Sequence, residues 1–205
     1  MTVLVLTEPL DMTADLVIRE LHQRGTPVHR ADTGDFPALL VLAATINSGQ
    51  GRWQGTLADQ YRRTDLADVT AVYYRHPGPF RFPDGMDQFE RRWAELEARL
   101  GFGGVLASLP CRWVSHPHTI AAAQYKPRQL AAATGLGLTV PPTLITNDPG
   151  EARTFASAAP DGVVYKTLHS RPYVDADSGA VMALSTTPVS PDQITEAVRG
   201  TASVI

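Results

Sequence analysis

The chain opens on Thr2-Val-Leu-Val-Leu-Thr7, an apolar run with no alternation, bounded by hydroxyl side chains. A strand that is apolar at every position has to be buried on both faces, as in a parallel sheet. Glu8-Pro-Leu-Asp11 follows as a turn. Either Asp11 or Thr13 can cap a helix in which Leu16, Val17, Glu20 and Leu21 recur at helical spacing. Gly25 ends that helix where left-handed backbone is favoured. Pro27–Ala31 is then a second strand. The result is a βαβ unit, which commits this part of the chain to an α/β fold. The turn after the first strand has no G-x-G-x-x-G, which argues against a dinucleotide-binding unit.

Further along, Asp32-Thr-Gly-Asp-Phe-Pro37 reads as a turn cluster, and Leu39–Asn47 alternates or runs apolar. Gly49–Gly55 reads as a hairpin turn into a strand bearing Trp53. Leu66–Val69 is a short helical turn or an irregular connection, and Ala71-Val-Tyr-Tyr-Arg75 is a strand of β-branched and aromatic types. Met86–Leu100 carries the plainest helical period. Phe89, Trp93, Leu96 and Leu100 fall three and four apart, which predicts a core-facing stripe. Gly101 and Gly103-Gly104 are expected to stop that helix, with Val105–Leu109 able to extend it.

Composition limits function. Net charge is −3 over 205 residues, without the basic excess of a nucleic-acid binder. No apolar run approaches the ~20 residues of a membrane span, and Glu8 and Asp11 interrupt any signal-like start. A cytoplasmic protein is expected. The single Cys111 excludes an internal disulfide and a cysteine-based zinc site, and reads as a small buried thiol.

The second half is organised around Ser115 to Lys166. Ser115-His-Pro-His118 leads into a helix or two over Thr119–Thr134, broken near Pro127. Gly135-Leu-Gly-Leu-Thr-Val-Pro-Pro-Thr143 makes a corner, and Thr143–Thr146 is a strand. Asn147 or Asp148 can cap a helix over Glu151–Ala158, and Gly162–Thr167 is another strand. His169–Gly179 is a polar loop, Ala180–Thr187 a strand pairing back across it, and Pro191–Arg199 a last helix. Thr201–Ile205 starts like a strand with nothing after it. Lys126 precedes a helix and Lys166 ends a strand, 40 positions later. Lysine offers a compact charge on a long stem, suited to an anionic phosphate. Ser170 and Arg171 in the polar loop can add donors over the same phosphates. Arg75 at a strand end can hold a substrate carboxylate bidentately or pair with a nearby Asp or Glu. His116 and His118 with Asp148 fall short of a convergent ligand set. Asp175 and Asp177 lack the later Glu of a calcium loop, so no metal site is expected in this chain.

Trp113-Val-Ser-His-Pro117, Lys126-x-x-Gln129-Leu-Ala131, the run Gly135 to Pro149 and Val163-Val-Tyr-Lys166 resemble the ATP-grasp ligases that modify ribosomal peptides, the graspetide or microviridin type. Asp11, the segment from Gly25 through Arg30 to Pro37, and Tyr73-Tyr-Arg-His-Pro77 resemble that family's pre-ATP-grasp domain. The resemblance implies a pre-ATP-grasp βα domain over residues 1–114. A partial ATP-grasp central α+β lobe would follow over 115–205, with the C-terminal catalytic lobe absent. It implies an ATP-dependent ligase that activates Asp or Glu side chains of a precursor peptide as acyl-phosphates. Hydroxyls or amines of the same peptide then close ester or amide crosslinks. Lys126 and Lys166 match the family lysines that contact ATP. The family further implies magnesium, held by ligands of the missing lobe, a precursor peptide with leader and core as partner, and a homodimer. On this resemblance the piece is a truncated ligase, inactive alone. A non-catalytic leader-peptide or nucleotide-binding module is the alternative, and a flavodoxin-like fold with another small-molecule use is a third reading.

Overall fold

A computed structural model describes residues 1–168, 173–174, 179, 181–182, 185–200 and 203–205. The chain divides into two compact units, Met1–Ile120 and Ala121–Ile205. The first holds strand β1 (Thr2–Leu6), helix α1 (Met12–Gln23), β2 (Val28–Ala31), β3 (Val41–Thr45), β4 (Gln54–Ala58), β5 (Arg63–Asp65) and β6 (Val69–Tyr74). Helices α2 (Gln88–Glu97) and α3 (Gly103–Ala107) and strand β7 (Arg112–Val114) complete it, and α4 (Pro117–Ala123) crosses into the second unit.

The unbroken apolar run does become an inner strand. β1 pairs in parallel with β2 on one side and β6 on the other, and β7 extends the sheet in the order β2-β1-β6-β7. Alternate β1 side chains serve opposite faces. Leu4 and Leu6 enter a core with Leu57, Val72, Phe102 and Leu106, while Val5 packs with Ala14 and Val28 under α1. Each buried leucine contributes roughly 2 kcal/mol of transfer free energy. β3, β4 and β5 form an antiparallel meander. Gly55 sits within it at φ +138°, where an added Cβ would lie 1.9 Å from the Ala43 carbonyl oxygen, so only glycine fits.

The helical stretch departs from expectation twice. Its glycines do not stop it. Ala98–Phe102 forms a π turn that runs on into α3, because Gly101, Gly103 and Gly104 all keep right-handed backbone. The stripe of Phe89, Trp93, Leu96 and Leu100 is not core either, since these side chains are 40–74% exposed. Burial on this segment falls instead to Ala98, Phe102 and Leu106, four residues apart. Period locates an apolar face; it does not say which part of that face finds a neighbour. Cys111 is half-buried against the same core, and burial pushes its thiol above the usual range.

In the second unit, α5 (Lys126–Gly135) starts with its proline in the first turn. β8 (Ile145–Thr146) precedes α6 (Pro149–Ala158), capped by the Asp148 carboxylate, which accepts from the Gly150 and Glu151 N–H groups. β9 (Val163–Tyr165), β10 (Tyr173–Val174), β11 (Val181–Met182), β12 (Thr187–Val189) and β13 (Ser203–Val204) follow. The expected strand Ala180–Thr187 is split: β11 pairs with β10, and β12 pairs with β9. The expected last helix is two 3-10 turns, Pro191–Gln193 and Glu196–Gly200, the first opening on Pro191. The chain end does find a partner. β13 pairs antiparallel with β8, and Ile205 joins Ala152, Ala156 and Ile194 in a small core.

Candidate functional site

In the parallel sheet the chain leaves β1 toward β2 and later returns to β6 on the other side of β1. Strand order therefore reverses at β1 and β6, and the crevice beyond their carboxyl ends is where α/β sheets bind ligands. Thr7–Asp11 leave β1 there and Arg75 leaves β6, and their backbones are tied together. The Arg75 N–H bonds Leu6 O at 3.0 Å, and Glu8 N–H bonds His76 O at 2.9 Å.

Asp11 is the hub of this edge. Its carboxylate accepts from the Thr7 hydroxyl (2.8 Å), the Thr13 and Ala14 N–H groups (3.0 and 3.1 Å) and Arg75 Nε (2.9 Å), while only 7% exposed. Of the two capping residues the sequence allows, Asp11 is therefore the one used. Burial opposes its charge, but the Ala14 N–H, the Thr7 hydroxyl and the Arg75 guanidinium outweigh it and bring its pKa down to about 2. Asp11 in turn raises Arg75 above its ordinary value, and Arg75 Nη2 also reaches Thr13 Oγ1 at 3.3 Å. The ion-pair alternative for Arg75 is thus present, which leaves the guanidinium aimed along the α1 cap.

Asp32, at the end of β2, builds a parallel arrangement. It accepts from Gly34 N–H (3.0 Å), Gly78 N–H (2.7 Å) and both terminal nitrogens of Arg81 (3.3 Å each), and Arg81 also pairs with Asp35. Gly34 is obligatory here, since a Cβ would meet Pro79 O at 2.7 Å. The sequence reads this segment as a turn cluster within the part that resembles the pre-ATP-grasp domain, with no role for Asp32 itself. The signal lies in Asp32-Thr-Gly34, a carboxylate directly after β2 with a glycine two positions on.

In the second unit, Lys126 opens α5 and is half-buried, while Lys166 follows β9 and is exposed. Backbone pairing fixes the root of Lys166, whose N–H bonds Val204 O at 3.1 Å. Neither lysine forms an ion pair among the described residues. Beside Pro127 a groove of about 520 Å3 lies between α5 and the Val140–Thr143 corner, lined by Leu130, Thr134, Pro142 and Ile145. Ser170 and Arg171, like His169, Asp175 and Asp177, lie outside the described residues. His116 donates or accepts nothing at a metal-like cluster; its Nε2 meets Ala107 O at 3.1 Å, and its ring packs on Trp113 and His118. Among the described residues no group of three or more His, Cys, Asp or Glu could hold a metal ion, and no helix is long and apolar enough to cross a membrane.

Three solved structures share this architecture. Macrocyclase MdnC of Microcystis aeruginosa MRC, bound with precursor peptide MdnA, is 29% identical with a TM-score of 0.89 over 100% of this chain and 67% of its own. Macrocyclase MdnB of the same organism is 28% identical, with a TM-score of 0.78 over 99% of this chain and 66% of its own. A RiPP-associated ATP-grasp ligase of Chryseobacterium gregarium, in complex with ADP and a leader and core peptide, shares the fold at 24% identity and a TM-score of 0.88, with 61% of its chain covered. This chain thus spans about three fifths to two thirds of their lengths. No curated protein matches it. The fold is α/β, a pre-ATP-grasp βα domain followed by part of an ATP-grasp α+β lobe. The MvdD pre-ATP grasp domain profile matches residues 2–121, more than half of the chain, and this chain belongs to that family.

Proposed function

We propose that this chain is the nucleotide-engaging and peptide-engaging part of an ATP-dependent ligase that crosslinks a ribosomal precursor peptide. The observation that carries the reading is the family match together with the likeness, over the whole chain, to a macrocyclase bound with its precursor peptide. In this reading residues 1–114 are the pre-ATP-grasp domain and 115–205 a partial ATP-grasp lobe.

The reaction sets what the residues have to do. ATP supplies the γ-phosphoryl group. A peptide Asp or Glu carboxylate oxygen attacks it, the bond to the ADP oxygen breaks, and an acyl-phosphate forms on the peptide. A Ser or Thr hydroxyl or Lys amine of the same peptide then attacks the acyl carbon, loses its proton and expels phosphate, giving an ester or amide crosslink. Such chemistry is mostly positioning and offset of charge. Lys126 and Lys166 suit the polyphosphate, because each carries an ammonium with no carboxylate to satisfy it among the described residues. Ser170 and Arg171 are proposed to add donors over the same phosphates. Arg75, turned by Asp11 toward the carboxyl ends of the strands, is proposed to steady a substrate carboxylate with its remaining N–H groups. The described residues hold no group of three or more His, Cys, Asp or Glu that could ligate magnesium. Its ligands, and sufficiency for turnover, are proposed to belong to the third or more of the relatives that this chain does not span.

The test is equilibrium binding of ATP to the full chain with and without Lys166→Ala, followed by turnover with ATP, magnesium and a precursor peptide rich in Thr and Glu. Nucleotide binding lost on substitution, with no dehydrated product from this chain alone, is the expected outcome. Peptide binding without any nucleotide binding would favour the non-catalytic module. The homodimer and the cytoplasmic location belong to the same proposal; light scattering tests the first.

A further inference from the structure

Helix α2 has almost nothing to pack against. None of its residues is buried, and the one element it meets extensively is the π turn that continues it. A helix of ten residues is marginal in water by itself. Its start is fixed by a capping box: the Asp87 carboxylate accepts from Glu90 N–H, and the Glu90 carboxylate accepts from Asp87 N–H. Its apolar side chains contribute nothing to the fold. Ala98, half a turn round from Phe89, is buried, while Phe89, Trp93 and Leu96 stand in solvent on the far side.

The charges beside this stripe are sorted. On a heptad repeat Phe89, Trp93, Leu96 and Leu100 take the d, a, d and a positions of a helix–helix seam. Glu90 and Glu97 then border the seam on one side, and Arg92 and Arg99 border it on the other. Arg92, Glu97 and Arg99 form no ion pair or side-chain hydrogen bond among the described residues. Two such helices lying parallel bring the arginine border of each against the glutamate border of the other. Arg92 then falls opposite Glu97 of the second helix, and twofold symmetry repeats the pair. Two lying antiparallel set arginine against arginine and glutamate against glutamate. A second copy of this helix therefore complements the face, and does so in one direction only.

We propose that α2 is the face on which two copies of this chain meet. The helices lie parallel about a twofold axis, with Phe89, Trp93 and Leu96 between them and Arg92 of each copy against Glu97 of the other. The apolar stripe supplies the attraction, and the charged borders set the direction. A stripe of four side chains falls short of the ~800 Å2 per partner of a standard interface, so association in the micromolar range is expected. The proposal rests on the homodimer named above, to which it gives a face. It uses neither Lys126 nor Lys166.

The test is sedimentation of the full chain across the micromolar range, without ATP or peptide. The parent is expected to pass from monomer to dimer, and Trp93→Glu to stay monomeric. Arg92→Glu and Glu97→Arg should each weaken the dimer about tenfold, because like charges then face across the seam. An equimolar mixture of those two variants should associate as tightly as the parent, because opposite charges face again. No contact within one copy can produce that recovery. All three variants should melt at the parent's temperature, since the substituted side chains are exposed. A dimer undiminished in Trp93→Glu would overturn this face and leave the homodimer to another. A mixture no tighter than its components would overturn the parallel arrangement. A parent monomeric throughout would overturn the face and the homodimer together and leave the stripe to a different protein, while the nucleotide reading keeps its own test.

Discussion

In the first unit, Asp11 caps α1 and Asp32 follows β2, and each is buried with an arginine and backbone N–H groups around it. In the second unit, Lys126 and Lys166 stand on a helix start and a strand end with no carboxylate beside them among the described residues. The same contrast holds for packing. Eleven buried residues make the main core of the first unit, whereas four of the described residues make that of the second. A buried charge whose partners are in place serves stability, because removing either partner strands the other. A charge that folding leaves unsatisfied is available for a ligand. In the proposed reading the lysines of the second unit serve the nucleotide, so substitutions at them and at the buried carboxylates of the first unit should report on different measurements.

The largest effect separates the two cores. Leu4→Ala, at a fully buried position under the sheet, is expected to cost about 2–5 kcal/mol in denaturant unfolding. Ile205→Ala in the small core should lie at the low end of that range. Equal losses would break the contrast in packing.

Next comes Arg75→Ala, which leaves the Asp11 carboxylate buried without its cation. Its melting temperature should fall by several degrees, and Arg75→Lys, which keeps charge but loses the fork, should fall less. Lysine substitutions in the second unit should not match either.

The pH dependence is smaller and has two windows. Burial holds His29 below its ordinary pKa, with Arg62 adding to the effect against the pull of Asp59. An unfolded histidine binds protons more readily than this one, so stability present above pH 6.5 is lost as pH falls through the folded value. His29→Gln should flatten that slope. Asp11, lowered from 3.8 to about 2, contributes stability that is present above pH 3.8 and lost as pH falls toward 2. Asp11→Asn should remove that second slope in a thermal melt series.

Local pattern made the first unit legible. The unbroken apolar run, the Gly25 stop and the strand Ala71–Arg75 each declare themselves within a few residues. What could not be seen were pairings across long separations. Asp11 meets Arg75 over 64 positions and His29 meets Thr64 over 35, and no local signal encodes either. Thr201–Ile205 reads as the start of a strand with nothing after it, and its partner β8 lies far back in sequence. Phe89 and Trp93 show the limit of period itself, since an apolar stripe was present but burial went to Ala98, Phe102 and Leu106. The two lysines were picked out by residue type and spacing, with Lys166 rooted by Val204 rather than by a local turn.

One experiment isolates the part that Lys126 and Lys166 play. Titrate the full chain with a fluorescent ATP analogue, comparing the parent with Lys126→Ala and Lys166→Ala, and follow unfolding of all three. The expected result is stability unchanged within about 0.5 kcal/mol and nucleotide affinity lower by about tenfold or more for each substitution. Undiminished affinity in both variants, with the fold intact, would contradict the account.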